Sequence, residues 1–144
     1  MGTFTVIDEL PKGRKAVSSK LVFRVKRNAD GSIECYKARL VAHGFFQVPG
    51  MDFDETFAPV VKLTSIHILC ALAVLLKLHF HHLDVNVAFL NGILQEEIYM
   101  CLPHGIGLNS GKFVNLLRSI YGLKQASRVW NKLLDTELGK LGFK

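Results

Sequence analysis

The chain has 144 residues, is 49% hydrophobic and carries a net charge of +6, enough for one core and too little for two comfortable domains. Its longest apolar run, Ile66 to Leu76 around His67, is far below the roughly 20 residues of a spanning helix, and the start carries Asp8 and Glu9 with no apolar h-region, so neither a membrane span nor a signal peptide is expected. Cys35, Cys70 and Cys101 have no pairing or metal spacing, which argues against a disulfide framework and for a reducing compartment, cytoplasm or nucleus.

In chain order, Lys20 to Lys26 alternates, with Leu21, Phe23 and Val25 on one side and Lys20, Arg24 and Lys26 on the other. Asn28-Ala-Asp-Gly-Ser32 follows, and Asp-Gly favours a tight turn because both residues tolerate positive φ. Ile33 to His43 alternates again and sets Lys37 and Arg39 at one parity, so the unit reads as a β-hairpin with a basic surface. Gly44 to Gly50 reads as a loop, and Asp52 to Pro59 as an irregular acidic and aromatic connector. Thr64 or Ser65 can cap a helix running through Leu76, which reads as a buried core helix.

From Leu83 the chain runs Leu-Asp-Val-Asn-Val-Ala-Phe-Leu-Asn-Gly. Leu83, Val85, Val87 and Phe89 share one parity, and His82, Asp84, Asn86 and Ala88 the other, the period of a half-buried strand with Asp84 on its exposed face before an Asn91-Gly92 turn. A second strand is expected from about Gln95 to Cys101, ending at Pro103. Gly105 to Gly111 reads as a loop, and Lys112 to Leu117 as a strand. A last helix is expected from about Ser127 to Leu138, where Val129 with Leu133, and Trp130 with Leu134 and Leu138, form one stripe, and Gly139 suits its stop. The order hairpin, helix, paired strands, helix is α+β in class.

Residues 11 to 47 carry nine Lys or Arg against two acids, and 111 to 144 seven against two, while the stretch between them has two bases against six acids. Two basic arms around an acidic, apolar centre suit a protein that grips a phosphate backbone around a metal site; the plainer alternative is a pair of solvated faces. His79, His81 and His82 precede Asp84 and could suggest zinc, but His82 and Asp84 share one strand parity and His79 and His81 the other, so one site does not collect all four. Asp52, Asp54 and Glu55 lack the glycine and 12-residue spacing of an EF-hand and read as structural.

Two blocks, Leu83 to Gly92 and Tyr121-Gly-Leu-Lys-Gln-Ala-Ser-Arg-Val-Trp130, resemble consecutive motifs of the reverse transcriptases of Ty1/copia-type retrotransposons. Gly2-Thr-Phe4, Leu10-Pro-Lys-Gly-Arg-Lys15, Val22-Phe-Arg-Val-Lys-Arg27, Tyr36-Lys-Ala-Arg-Leu-Val-Ala42 and Phe53-Asp-Glu-Thr-Phe-Ala-Pro-Val60 resemble further blocks of that family in the same order. The resemblance implies an RNA-directed DNA polymerase domain truncated at both ends, with a fingers-like hairpin over about 1–50 and a partial palm over about 51–144. The family's later Tyr-Val-Asp-Asp motif does not occur in the sequence.

For the site, the resemblance implies Asp84 as catalytic carboxylate and first ligand of two Mg²⁺ ions, with the backbone carbonyl of Val85 on the second. It implies Lys37 and Arg39 as grips on the incoming triphosphate, Phe89 as an aromatic steric gate against a ribose 2′-hydroxyl, and Gly122, Lys124 and Gln125 near nucleotide and template. Lys20, Arg24, Lys26 and Arg128 are candidates for the nucleic-acid backbone; Arg128, in the first turn of a helix, wants an anionic partner. The parent would take an RNA or DNA template-primer and deoxynucleotides. Departures from the family pattern at Leu21, His43, Asn86-Val87, Leu102-Pro-His-Gly-Ile106 and Ser127 bear on nucleotide affinity more than on fold. One carboxylate does not hold two dications, so negligible polymerase activity is expected of this chain alone. The alternative is a non-enzymatic remnant with residual nucleic-acid binding, or one that associates with itself or with an intact polymerase through an unpaired strand edge. A continuous frame beyond Lys144 would restore the enzyme reading.

Overall fold

A computed structural model describes residues 2–107 and 111–143. It is α+β with two antiparallel sheets. The first three strands are β1 (Phe4–Ile7), β2 (Ser19–Arg27) and β3 (Ile33–Ala42), followed by a single 3-10 turn at Gly44–Phe46. Then come α1 (Leu63–Leu75), the one-turn α2 (Ala88–Asn91), β4 (Ile93–Cys101), β5 (Phe113–Arg118) and α3 (Ala126–Lys140).

β2 and β3 form the hairpin that the alternation predicts. Its turn closes by Gly31 N–H donating to the Asn28 carbonyl at 3.0 Å, while Asp30 Oδ1 accepts from the Ser32 amide at 2.9 Å and from its hydroxyl at 2.6 Å. The other sheet has the order β1-β5-β4. β5 is central, and its Val114 and Leu116 are buried between the alternating, more accessible Phe113, Asn115 and Leu117, as a period of two requires. The core gathers Val17, Ile98, Met100, Leu102, Val114, Leu116, Ile120, Leu123 and Ala126, with Ala42 joining it from the end of the hairpin. β1 has no counterpart in the sequence reading, although Phe-Thr-Val-Ile at 4–7 carries the branched and aromatic residues that favour strands.

Three expectations are corrected. Leu83 to Phe89 does not form a strand: Asp84 lies in an exposed stretch without regular structure, Val87 turns the chain with φ 49 and ψ 42, and Ala88 starts α2. The partner of β4 is therefore β5, not the Asp84 segment, and Asn91-Gly92 ends a helical turn rather than closing a hairpin. The helix at 63–75 forms, but its N-cap is Lys62 and it buries none of its residues. Its leucines, isoleucines and valines face solvent on all sides, with Val74 80% exposed. The last helix runs to Lys140, past Gly139, and Gly142 with φ 88 follows its cap at Leu141. The loop reading of Gly105 to Gly111 falls partly on residues 108–110, outside the described residues.

Candidate nucleotide and nucleic-acid interface

The register of the hairpin decides its surface. Lys20 pairs with Val41, Val22 with Arg39, Arg24 with Lys37 and Lys26 with Cys35. Directly paired residues share a face, so Lys20, Arg24, Lys26, Lys37 and Arg39 all stand on one side of the ribbon. Arg24 and Lys37 are like charges placed opposite each other, an arrangement that is unfavourable without an anion between them. Lys26 reaches Glu34 at 3.9 Å; Lys20, Arg24, Lys37 and Arg39 have no ion-pair partner among the described residues.

Beside this face lies a cavity of about 340 Å³. Lys37 and Arg39 line one wall, Asn86 and Val87 another, and Tyr121 closes it together with Thr3, Phe4 and Leu90. The Arg39 guanidinium lies over the Tyr121 ring, 5.2 Å from its centroid, and the Phe89 ring meets the same tyrosine at 4.9 Å and 64°. Phe89 itself packs against the core and is absent from the cavity lining.

The hairpin is fastened to the β5–α3 connection at one joint. Ala42 N–H donates to the Tyr121 carbonyl at 2.8 Å. Gly122 follows with φ 92, and a Cβ there would collide with the Ala42 carbonyl oxygen, while a Cβ on Gly44 would collide with the Gly122 carbonyl oxygen. Only two glycines let these backbones meet. Beneath the joint, Lys124 N–H donates to Gln47 Oε1 at 2.8 Å, Gln47 Nε2 to Gln125 Oε1 at 3.0 Å, and Gln125 Nε2 to the Asp52 carbonyl at 2.8 Å. Asp52, itself buried, accepts from the Val48 amide at 2.8 Å, which supports its reading as a structural residue.

Two sequence-derived candidates are thereby engaged elsewhere. Gln125 is 1% exposed, with both ends of its amide partnered inside the protein. Arg128 finds its anion in Glu55, with a further bond to the Phe57 carbonyl at 3.3 Å. The Lys124 ammonium lies 4.6 Å from the centre of the Phe53 ring, off the cavity.

Asp84 and Val85 are exposed. Among the described residues no group of three or more His, Cys, Asp or Glu could hold a metal ion. The donors present, one carboxylate and one carbonyl, do not fit a site for two Mg²⁺ ions.

A family profile described as reverse transcriptase (RNA-dependent DNA polymerase) matches residues 1–144. The chain belongs to the reverse transcriptase family of copia-type retrotransposons. It is 47% identical over 137 residues to a retrovirus-related Pol polyprotein from transposon TNT 1-94 of Nicotiana tabacum, covering 94% of this chain. To the Pol polyprotein from transposon RE2 of Arabidopsis thaliana it is 45% identical over 143 residues, 98% of the chain. To the Ty1-H Gag-Pol polyprotein of Saccharomyces cerevisiae it is 30% identical over 132 residues, 88% of the chain. It spans 10% of the length of the two plant relatives and 7% of the yeast one. No solved structure matches. Among the described residues no helix is long and apolar enough to cross a membrane.

Of the residues implied by membership in the reverse transcriptase family, the structure brings Lys37 and Arg39 together at a cavity, with Phe89 one ring behind it. It sets Lys20, Arg24 and Lys26 on the adjoining face and leaves Gly122 as a backbone joint. Tyr121, Gln47 and Gly44 escaped the sequence reading. The first lies inside the matching block, and the other two show their purpose only against partners 78 residues further along.

Proposed function

We propose that this chain supplies the fingers hairpin (about 1–50) and the first part of the palm (about 51–144) of an RNA-directed DNA polymerase, and that its own residues grip nucleotide and nucleic-acid phosphates. The supporting observation is the β2–β3 register, which collects Lys20, Arg24, Lys26, Lys37 and Arg39 on one face beside the Tyr121 cavity. Arg39 offers planar N–H pairs to a triphosphate and Lys37 a point charge. Lys20, Arg24 and Lys26 follow a template-primer backbone by displacing its counterions, a contact that carries no sequence information. In the parent enzyme Mg²⁺ would supply the nucleotidyl-transfer chemistry, and Asp84 would offer one carboxylate toward it.

Fluorescence anisotropy with a labelled RNA–DNA hybrid, titrated across a range of salt, tests this reading. The logarithm of affinity falls linearly with the logarithm of salt concentration, and Arg24→Ala or Lys20→Ala shallows the slope by roughly one phosphate contact each. Equal binding at low and high salt would sink the proposal.

A second reading, association with another polypeptide, is favoured by α1. A helix apolar all round is stable when something covers it. If that cover is a second copy or a longer polymerase chain, sedimentation shows self-association that Leu69→Glu abolishes, and a monodisperse wild-type monomer speaks against a second copy.

A further inference from the structure

We infer that Glu55 holds Arg128 in reserve, so that a nucleic-acid phosphate gains this arginine, and with it the groove along α3, only by displacing the carboxylate. The inference rests on the chain binding nucleic acid as proposed, and it concerns a groove that shares no lining residue with the Tyr121 cavity. Arg128 is the third residue of α3, in a first turn whose free amides make a cation unfavourable. Two groups on the connector before α1 answer it: the Glu55 carboxylate pairs with Nη2, and the Phe57 carbonyl accepts from Nη1 at 3.3 Å. The Arg128 side chain is 25% exposed and that of Glu55 67%, so the arginine is held while its partner stands in solvent and swings away at little cost. A phosphate offers a guanidinium the same paired oxygens as a carboxylate, and the two therefore compete for one set of donors.

The surroundings set the threshold of that exchange. The groove, of about 520 Å³, is lined by Arg128, Lys132 and Thr136, a stripe of α3 at spacings of four, and by Asp54, Glu55 and Glu96 from the connector and β4. Lys132 has no ion-pair partner among the described residues. While Glu55 neutralises Arg128, the charges left are Lys132 against Asp54 and Glu96, a net negative surface that repels a strand. Neutralising Glu55 frees Arg128 and leaves two bases against two acids, with both cations on one helix stripe. Of the three lining carboxylates, Glu55 pairs with Arg128 and Asp54 and Glu96 do not, so removing Glu55 changes both the field and a specific bond, and removing Asp54 changes the field alone.

Fluorescence anisotropy of the full chain with a labelled RNA–DNA hybrid, titrated across salt, reads the exchange. Glu55→Gln tightens binding roughly 1.5-fold to fivefold, the range of an exposed ion pair, and steepens the salt slope by about one phosphate contact. The gain disappears in an Arg128→Ala background, while the smaller gain of Asp54→Asn, a field effect, persists there. Thermal melts accompany each variant; should Glu55→Gln fail to fold, Glu55→Asp, whose shorter side chain loosens the pair, carries the same comparison. Glu55→Gln binding no more tightly than wild type overturns the reserve, and a lowered melting temperature beside it makes the pair a structural tie between connector and helix. An equal gain with and without Arg128 overturns it as well, leaving only long-range repulsion. In both cases Arg24→Ala still shallows the slope and the hairpin reading stands. A hybrid bound by neither wild type nor Glu55→Gln removes the hairpin reading and the reserve together.

Discussion

Gln47 and Gln125 share a hydrogen bond of 3.0 Å that solvent does not reach, each residue being 3% exposed or less. It links the end of the hairpin to the start of α3, and each amide makes a second bond, to Lys124 N–H or to the Asp52 carbonyl. Truncating one partner strands the other in a dry site. Gln125→Ala is expected to lower stability by about 2–3 kcal/mol. Urea unfolding measures it, and a double-mutant cycle with Gln47→Ala should show strongly non-additive losses. Additive effects would mean that the two amides act independently.

Gly122→Ala is the harsher change. The residue holds φ 92, and its new methyl group would meet the Ala42 carbonyl and the Val41 side chain, the latter at 2.8 Å. Left-handed strain and overpacking combine to a loss of about 3 kcal/mol or more. Thermal melts should show it; Gly13→Ala, also at positive φ but with nothing near its Cβ, should cost visibly less.

Val87 offers a gain instead. A branched side chain at φ 49 is strained, and the residue sits where the chain turns from the Asp84 stretch into α2. Val87→Asn, which tolerates this conformation and gives up little packing at a half-exposed site, is expected to raise stability by about 0.5–1 kcal/mol. A lower midpoint in denaturant would show that the valine is held by contacts stronger than its strain.

The hairpin turn responds to acid. Asp30 has its pKa held below the ordinary carboxylate value, first by the Ser32 hydroxyl and then by the Ser32 amide. A depressed folded-state pKa means that the stabilisation is complete above the unfolded value near 3.8 and is lost as pH falls through the folded one. The Ser32 amide resonance should therefore titrate at a pH below the ordinary carboxylate value, and Asp30→Asn should abolish that titration.

The hairpin was legible because its signals are local: alternation sets the faces and Asp30-Gly31 sets the turn, so the basic side follows from arithmetic on positions 20 to 39. β5 and α3 were legible for the same reason. The Asp84 segment has equally clean alternation, yet a strand requires a neighbour to take its hydrogen bonds, and among the described residues β4 gives its ladder to β5. For α1 the apolar run correctly gave a helix, but hydrophobicity reports a demand for cover and not its supply. The internal partners of Gln125 were not legible because an amide inside a motif looks the same in sequence whether it faces a ligand or a glutamine 78 residues away. The seating of Arg39 on Tyr121 is likewise tertiary, spanning the hairpin and the β5–α3 connection.

The uncovered α1 governs what a cell would do with this chain. Thirteen residues of helix without a buried side chain are what holdase chaperones and quality-control proteases bind. Steady-state abundance then depends on how quickly a covering polypeptide arrives compared with degradation, more than on the strength of the β1-β5-β4 core. Pulse-chase lifetimes with and without charged substitutions along α1 would separate the two, since a helix made polar escapes capture while the rest of the fold is unchanged.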